Sequence, residues 1–183
     1  MTTVDRTVDQ SAEAAPEAEA TDETPTAEKM VLVAASGDLD KAWPVMILAT
    51  TAAAYGMDVT VFFTFWGLSI LKRPDAGITG DDWRQRMMSA FTGGSSDGLK
   101  LSKINFGGLG AKFMKDLADE KNVASVQELL ELGMEMGVKM WPCGMTMDLM
   151  GLSEEDLIDG LDSPAGAGSA ISLMKDASIN LFI

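Results

Sequence analysis

The chain of 183 residues contains no histidine and a single cysteine, Cys143. Without histidine, Ser-His-Asp and Cys-His catalysis, most zinc and haem sites and imidazole proton transfer are excluded. One cysteine cannot form an intramolecular disulfide, and no apolar segment follows a basic start at the N-terminus, so secretion is not indicated. We therefore expect a cytoplasmic protein without a cofactor or metal centre, in which the Cys143 thiol is the best candidate for chemistry.

Basic residues are also scarce. The chain has 14 Lys and Arg against 28 Asp and Glu, a formal net charge of −14. Because binding to nucleic-acid phosphates needs clustered basic side chains, this composition argues against a nucleic-acid partner. Acidic residues also occur in the body of the chain, at 128–135 and 154–156, and would suit a salt-rich cytoplasm. A halophilic source is therefore a hypothesis, under which molar salt improves refolding and activity.

Large apolar side chains are almost absent from residues 1–28, which consist mainly of Ala, Glu, Thr, Asp and Pro. Such a segment cannot bury enough surface to offset the entropy lost on ordering. We interpret it as a disordered acidic tail, with docking to a basic partner as the alternative. Residues 29–183 are long enough for one domain with its own core. Within that domain, turn-forming clusters at 74–100 predict a mobile insertion around a short helix at Trp83–Phe91.

Buried strands alternate with helices along this domain. Apolar and β-branched runs predict strands at 30–35, 58–64, 138–141 and 178–183. Helices are predicted at 39–55, 107–121, 126–136, 144–150 and 165–175, with Asp38 capping the first and a capping box at Ser125 starting the third. The alternation indicates an α/β fold with an open, mainly parallel sheet and right-handed crossovers.

A membrane hairpin is the competing interpretation of residues 42–71, where Asp58 is the only charged residue. Gly56 and Asp58 interrupt the run, and each flank is shorter than the roughly 20 residues that a spanning helix needs. This favours an α/β core over membrane association without excluding the latter.

Two pairs of residues follow the second predicted strand, the aromatic Phe65 and Trp66 and the basic Lys72 and Arg73. They come close to the sheet edge at which α/β proteins bind ligands. The alternative is that Trp66 fills the core and that the basic pair forms a solvated turn.

Cys143 lies where the strand predicted at 138–141 passes into the helix predicted at 144–150. At a helix start, unpaired amides and the helix dipole stabilise a thiolate and lower its pKa. This position favours a reactive thiol over a small buried hydrophobe, which is the usual role of a single cysteine. Met145, Met147 and Met150 could join the thiolate in a Cu(I) site, although methionines at helical spacing are more typical of core packing.

The segment Cys-Gly-Met-Thr-Met-Asp-Leu-Met-Gly-Leu at 143–152, followed by Glu-Glu-Asp-Leu-Ile-Asp-Gly at 154–160, resembles the DsrE/DsrF-like family of sulfur-relay proteins. The resemblance is closest to the branch often labelled peroxiredoxin-family or DsrE-like. It covers residues 30–183 and is supported by Phe-Trp-Gly-Leu at 65–68 and Leu-Ser-Lys-Ile-Asn-Phe at 101–106. It implies a flavodoxin-like or Rossmann-like three-layer sandwich, homo-oligomerisation, and a cysteine that carries sulfane sulfur as persulfide or bound thiosulfate.

The resemblance implies that Cys143 is the sulfur carrier, served by donor and acceptor proteins of a sulfur relay. Ser36, Gly37 and Trp66, with Gly144, Met145 and Thr146, would then line its pocket. Where many relatives have Cys-Thr/Ser-Met-Ser-Met-Asp, this chain has Gly144 directly after the cysteine, which removes a hydroxyl. It also lacks the second cysteine that some carriers use, so a persulfide must pass to a partner thiol.

Two functions remain open at the level of sequence. The first is a sulfur carrier or sulfurtransferase that acts through Cys143. The alternative is a binding or assembly module of the same fold in which Cys143 is structural and unreactive. A thiol peroxidase is disfavoured, because no resolving cysteine is present and no arginine adjoins Cys143 in sequence.

Overall fold

The computed structural model describes residues 27–92, 95–103 and 108–183. Most of the predicted acidic tail and residues 104–106 of the segment that supports the resemblance lie outside these ranges. The described residues form four strands, β1 (Lys29–Ala34), β2 (Asp58–Phe63), β3 (Lys139–Pro142) and β4 (Ile179–Phe182). Six α-helices accompany them, α1 (Leu39–Ala54), α2 (Trp83–Thr92), α3 (Leu109–Glu120), α4 (Val126–Glu135), α5 (Gly144–Met150) and α6 (Ala167–Lys175). Short 3₁₀ helices lie at Phe65–Leu71, Ser96–Gly98 and Glu154–Asp156.

All four strands are parallel, in the order β3-β2-β1-β4. The register pairs Val33 with Phe62, and Phe62 with Trp141. The predicted α/β class and the open parallel sheet are thereby confirmed. Because the strands run in one direction, the C-terminal ends of β1, β2 and β3 meet at the same edge of the sheet.

Helices cover both faces of the sheet. On one face, fully buried side chains such as Leu32, Val61 and Met140 pack under α1 and α4 and form the main core. On the other face, Val33 and Phe62 form a smaller cluster with α6. This is the layered arrangement expected of an α/β sandwich, because strand side chains alternate between two apolar faces that must each be covered.

The helix boundaries agree closely with the predicted ones, but the first cap differs. Asp38 occupies the N-cap position of α1 without capping it through its side chain, and its carboxylate instead accepts a hydrogen bond from Ser36 Oγ at 3.0 Å. The capping box of α4 is present, with Ser125 and Glu128 bonded reciprocally.

The long uncharged run at 42–71 is divided between α1, β2 and a 3₁₀ helix. In the described parts of the chain, no helix is long and apolar enough to cross a membrane. In the predicted insertion, α2 packs against α5, and Gln85 Nε2 donates a hydrogen bond to the carbonyl of Asp148 at 3.1 Å. The mobility of this insertion stays a prediction.

Candidate functional site

Cys143 is held between the end of β2 and the segment that precedes α6. It is the N-cap residue of α5, and its backbone N–H donates to the carbonyl of Phe63 at 2.8 Å. The next amide, that of Gly144, donates to the carbonyl of Ala165 at 3.1 Å. Both bonds extend the pattern of the parallel sheet beyond β3, so the backbone at the cysteine is fixed on two sides.

The thiol of Cys143 is almost completely buried, since the residue is only 1% exposed. Its apolar neighbours are Val33 and Phe62 from the sheet and Ala170 from α6, with the partly buried Trp141, Ala165 and Met174 around them. The sulfur therefore lies in the smaller of the two hydrophobic clusters, under α6.

Two threonines provide a polar side to this apolar surrounding. Thr146, in the first turn of α5, is fully buried, and its Oγ1 lies 3.2 Å from Oγ1 of Thr64, which directly follows β2. The backbone N–H of Phe65 donates to Thr146 Oγ1 at 3.3 Å. Because Thr146 Oγ1 accepts this bond, its own hydrogen is available for the sulfur or for Thr64.

Two opposing effects set the pKa of Cys143. Burial raises the pKa, because a thiolate is poorly solvated in an apolar cluster. Hydrogen bonds to the thiolate lower it, from the hydroxyl and amide of Thr146, the hydroxyl of Thr64 and the amide of Met145. The hydrogen bonds prevail and the pKa of the thiol lies below its ordinary value, which favours the nucleophilic form.

The backbone that carries Thr64 is held by a strained and closely packed turn. Phe65 has a φ of 46°, a left-handed conformation that is costly for a bulky side chain. Two residues later, a Cβ on Gly67 would collide with the backbone carbonyl of Ala34, so only glycine fits there. Thr64 N–H also donates to the Ala34 carbonyl, at 3.0 Å. This packing directs the Phe65 amide towards Thr146.

The predicted site residues fall into two groups. Gly144, Met145 and Thr146 adjoin the thiol, although the Gly144 amide is already bonded to Ala165. The other group lies beside the 3₁₀ helix at Phe65–Leu71. Gly37 lies against the Trp66 carbonyl and Ser69 Oγ, and the hydroxyl of Ser36 donates to the carboxylate of Asp38. Trp66 is 43% exposed and lines a different cavity. In the described ranges, none of Ser36, Gly37 and Trp66 hydrogen-bonds to Cys143.

Sequence reasoning missed Thr64 and the Phe65 amide. The strand predicted at 58–64 contains Thr64, but the sequence pattern predicts no role for its hydroxyl. Its position became informative only through the adjacency of β2 and β3, because Phe63 pairs with Pro142 and the residues that follow each strand then lie side by side.

The three methionines of α5 do not converge on the thiol. Met147 belongs to the main core, Met150 lines a cavity with Lys72, and Met145 is exposed to solvent. Across the part of the chain that the structure describes, no group of three or more Cys, Asp or Glu side chains could hold a metal ion.

We expect Thr146→Val to raise the pKa of Cys143 and to lower the free energy of unfolding by about 1–3 kcal/mol. The variant removes a donor to the thiolate and leaves the Phe65 amide without its acceptor. Thiol titration and urea denaturation measure the two effects. Thr50→Val is the matched control, because Thr50 is also buried but bonds only to carbonyls of its own helix. A thiol pKa that shifts equally in both variants, or in neither, would contradict this role.

Comparisons with known proteins identify the family of this chain. The model of the DsrE/DsrF/DrsH-like family matches residues 26–182. The sulfur carrier protein DsrE2 of Allochromatium vinosum is 39% identical over 158 residues, which are 85% of this chain and 98% of that protein. A Bacillus subtilis protein named uncharacterized protein YrkE is 38% identical over 160 residues, which are 87% of this chain and 99% of that protein.

A solved structure shows the same fold. The crystal structure of the ychN protein from E. coli aligns with a TM-score of 0.53 at 16% identity, over 85% of this chain and 99% of that one. The family match over residues 26–182 and the two relatives show that the chain belongs to the DsrE/DsrF/DrsH-like family.

Proposed function

We propose that this protein is a sulfur carrier that holds sulfane sulfur on Cys143 and passes it to the thiol of a partner protein. The observation that supports this most is the polar side of the Cys143 cluster, where two hydroxyls and two amides stabilise a thiolate despite its burial. A structural cysteine in an apolar cluster needs no such donors. The family membership and the printed name of the Allochromatium relative point to the same chemistry.

The chemistry balances without an external oxidant or reductant. The Cys143 thiolate attacks the outer sulfur of a donor persulfide, the donor's S–S bond breaks, and the donor leaves as a thiolate with the electron pair. In the second step an acceptor thiolate attacks the terminal sulfur on Cys143, and the Cys143 thiolate leaves. The lowered pKa of Cys143 makes it a better leaving group in this step. The amides of Met145 and Thr146 would hold the negative terminal sulfur between the two steps.

Transfer requires the cover of the thiol to open. Cys143 is 1% exposed, and the side chains above it belong to the segment around α6, from Ala165 to Met174. This cover consists largely of small residues, and its helix has no side-chain cap because the N-cap residue is Gly166. We propose that this segment moves aside when a partner docks.

A partner could dock on apolar side chains beside the site. Met145 and Leu149 on the outer side of α5 are 63% and 58% exposed, and Phe65 and Trp66 are partly exposed at the neighbouring turn. We propose that sulfur donor and acceptor proteins use this surface, in the cytoplasm, and that the protein works as a homo-oligomer. Sedimentation of the full chain tests the oligomeric state, and a monomer at working concentrations would contradict the proposed homo-oligomer.

Intact mass spectrometry tests the carrier function. The full chain is incubated with a sulfane donor, desalted and weighed, and we expect a mass increase of one or more whole sulfur atoms that a reducing thiol reverses. Prior alkylation of Cys143 is the control and should prevent the increase. If the unmodified protein gains no sulfur, the carrier function is wrong.

The burial of Cys143 favours a second candidate function, a non-catalytic binding or assembly module in which the cysteine only fills space. That function requires a thiol that reacts slowly with iodoacetamide at neutral pH in the native protein. It also requires Cys143→Ser to retain partner binding. Rapid alkylation of the native thiol, faster than that of glutathione, would exclude it.

A further inference from the structure

Lys72 is a buried cation that lies outside the Cys143 cluster. The sequence pattern is compatible with a solvated turn at Lys72 and Arg73, but Lys72 is only 3% exposed. Within the described ranges, its ammonium group has neither a hydrogen-bond nor an ion-pair partner. Burial lowers the pKa of Lys72, and the carboxylate of Asp156, which does not reach ion-pair distance, opposes this effect. Buried charges are ordinarily paired, and in the described ranges this ammonium group has no carboxylate at ion-pair distance.

A small cavity adjoins Lys72. It has space for about one water molecule. Its polar lining consists of Lys72 and the hydroxyls of Ser69, Thr79 and Ser89, and its apolar lining consists of Phe65, Trp66, Met150 and Leu152. Ser69 and Thr79 are themselves nearly buried, at 5% and 9% exposure. The cavity therefore combines one positive charge with several hydroxyls, and none of the described residues that line it is acidic.

The hydroxyls at this cavity are bonded to one another and to the backbone. Ser69 Oγ donates to the Trp66 carbonyl at 2.7 Å, and Thr79 Oγ1 donates to Ser89 Oγ at 3.0 Å. Hydroxyl hydrogens rotate at little cost, so Ser69 and Thr79 can turn towards a negative occupant. A water molecule could accept a hydrogen bond from Lys72 but would leave the charge uncompensated. A monovalent anion would both accept a hydrogen bond from Lys72 and compensate its charge.

We propose that this cavity is a binding site for a compact inorganic monoanion of the size of chloride or hydrosulfide, with Lys72 as its counterion. The cavity has space for about one water molecule, which is closer to the size of these ions than to that of oxyanions such as sulfate or thiosulfate. The apolar lining, with the aromatic rings of Phe65 and Trp66 and the thioether of Met150, suits a weakly hydrated, polarisable anion. The proposal does not rest on the carrier function of Cys143.

The cavity and the thiol site share one residue. The Phe65 side chain lines the cavity, while its backbone N–H bonds to Thr146 Oγ1, which in turn stabilises the Cys143 thiolate. An anion beside Lys72 would therefore lie next to Phe65, whose backbone N–H belongs to the hydrogen bonds around the thiol. Hydrosulfide at this position would be close to the sulfur chemistry without touching Cys143.

Thermal unfolding in matched salts tests the proposal. The full chain is unfolded in sodium chloride, sodium hydrosulfide under anaerobic conditions, or sodium gluconate, at equal ionic strength and pH. Gluconate is too large for the cavity and reports the general effect of salt on an acidic chain. We expect the midpoint temperature of unfolding to be higher in chloride or hydrosulfide than in gluconate. The difference should grow by about 3–5 °C for each tenfold rise in anion concentration above the dissociation constant.

Two lysine variants make the test specific. Lys72→Met should abolish the difference between the salts, whereas Lys41→Met, which removes the same charge from the exposed side of α1, should retain it. Lys72→Gln replaces Lys72→Met if the latter does not fold. Chloride NMR line broadening by the folded protein, lost in the Lys72 variant, gives a readout that does not depend on unfolding.

The outcomes of these experiments distinguish hydrosulfide from other compact anions as the occupant. They also separate the anion site from the carrier function of Cys143. A response to hydrosulfide alone assigns the site to hydrosulfide, and a response to both anions assigns it to compact monoanions in general. Equal midpoints in chloride, hydrosulfide and gluconate, or a salt difference that Lys72→Met retains, would overturn the proposal. Because Cys143→Ser should keep the anion effect, failure of the carrier function leaves this result unaffected.

Discussion

Cys143→Ser is expected to abolish sulfur loading completely. The sequence has no other cysteine, so no second thiolate can accept the sulfur. A serine hydroxyl at the same place stays protonated at neutral pH and forms no stable bond to sulfane sulfur. Intact mass after incubation with a sulfane donor measures the effect, with the wild-type chain and the variant treated in parallel.

Thr146→Ser is the matched control for this loss. It keeps the hydroxyl and the amide that stabilise the thiolate and removes only a methyl group, so it should load sulfur as the wild type does. Equal loading of Cys143→Ser and the wild type would show that the added sulfur is not on the cysteine. The proposed carrier function of Cys143 would then be wrong.

Gly67→Ala is expected to lower the free energy of unfolding by about 2–4 kcal/mol. The added methyl group would meet the carbonyl of Ala34 at the end of β1, and a backbone contact cannot yield as a flexible side chain does. The 3₁₀ helix must then move away from the sheet. The bond from Thr64 N–H to the Ala34 carbonyl would weaken, and the Thr64 hydroxyl would lose its position beside the thiol.

Urea denaturation measures this loss, and alkylation kinetics of Cys143 report its effect on the site. Gly77→Ala is the control, because a Cβ there meets no atom within 4 Å and the backbone conformation is an ordinary one. That variant should stay within about 0.5 kcal/mol of the wild type. If Gly67→Ala proves as stable as Gly77→Ala, the close packing of this turn is not what holds Thr64.

The α/β fold and the position of Cys143 were predictable from local patterns. Apolar strand runs, the capping box at Ser125 and the passage from strand to helix at Cys143 each depend on neighbours in sequence. The polar partner Thr64 was not predictable in this way, because its role follows from the adjacency of β2 and β3 in the sheet. That adjacency joins residues about 80 positions apart, as in the bond between Thr64 and Thr146.

Burial was the property that local patterns described least well. Lys72 carries a charge and follows a turn-like segment, features typical of a solvated side chain, yet the 3₁₀ helix and the residues around Thr79 enclose it. The cover over Cys143 was also missed, since the small residues of α6 have no strong apolar pattern in sequence. Both cases result from packing between distant segments.

The pKa of Cys143 in the native protein is the measurement that tests the reactive thiolate most directly. Ultraviolet absorbance of the thiolate is followed against pH, with Cys143→Ser as the blank that subtracts tyrosine ionisation. We expect the thiol to titrate below the ordinary value of a cysteine, because the donors from Thr64, Met145 and Thr146 outweigh burial. A pKa at or above that value would mean that burial prevails and that Cys143 is a structural residue.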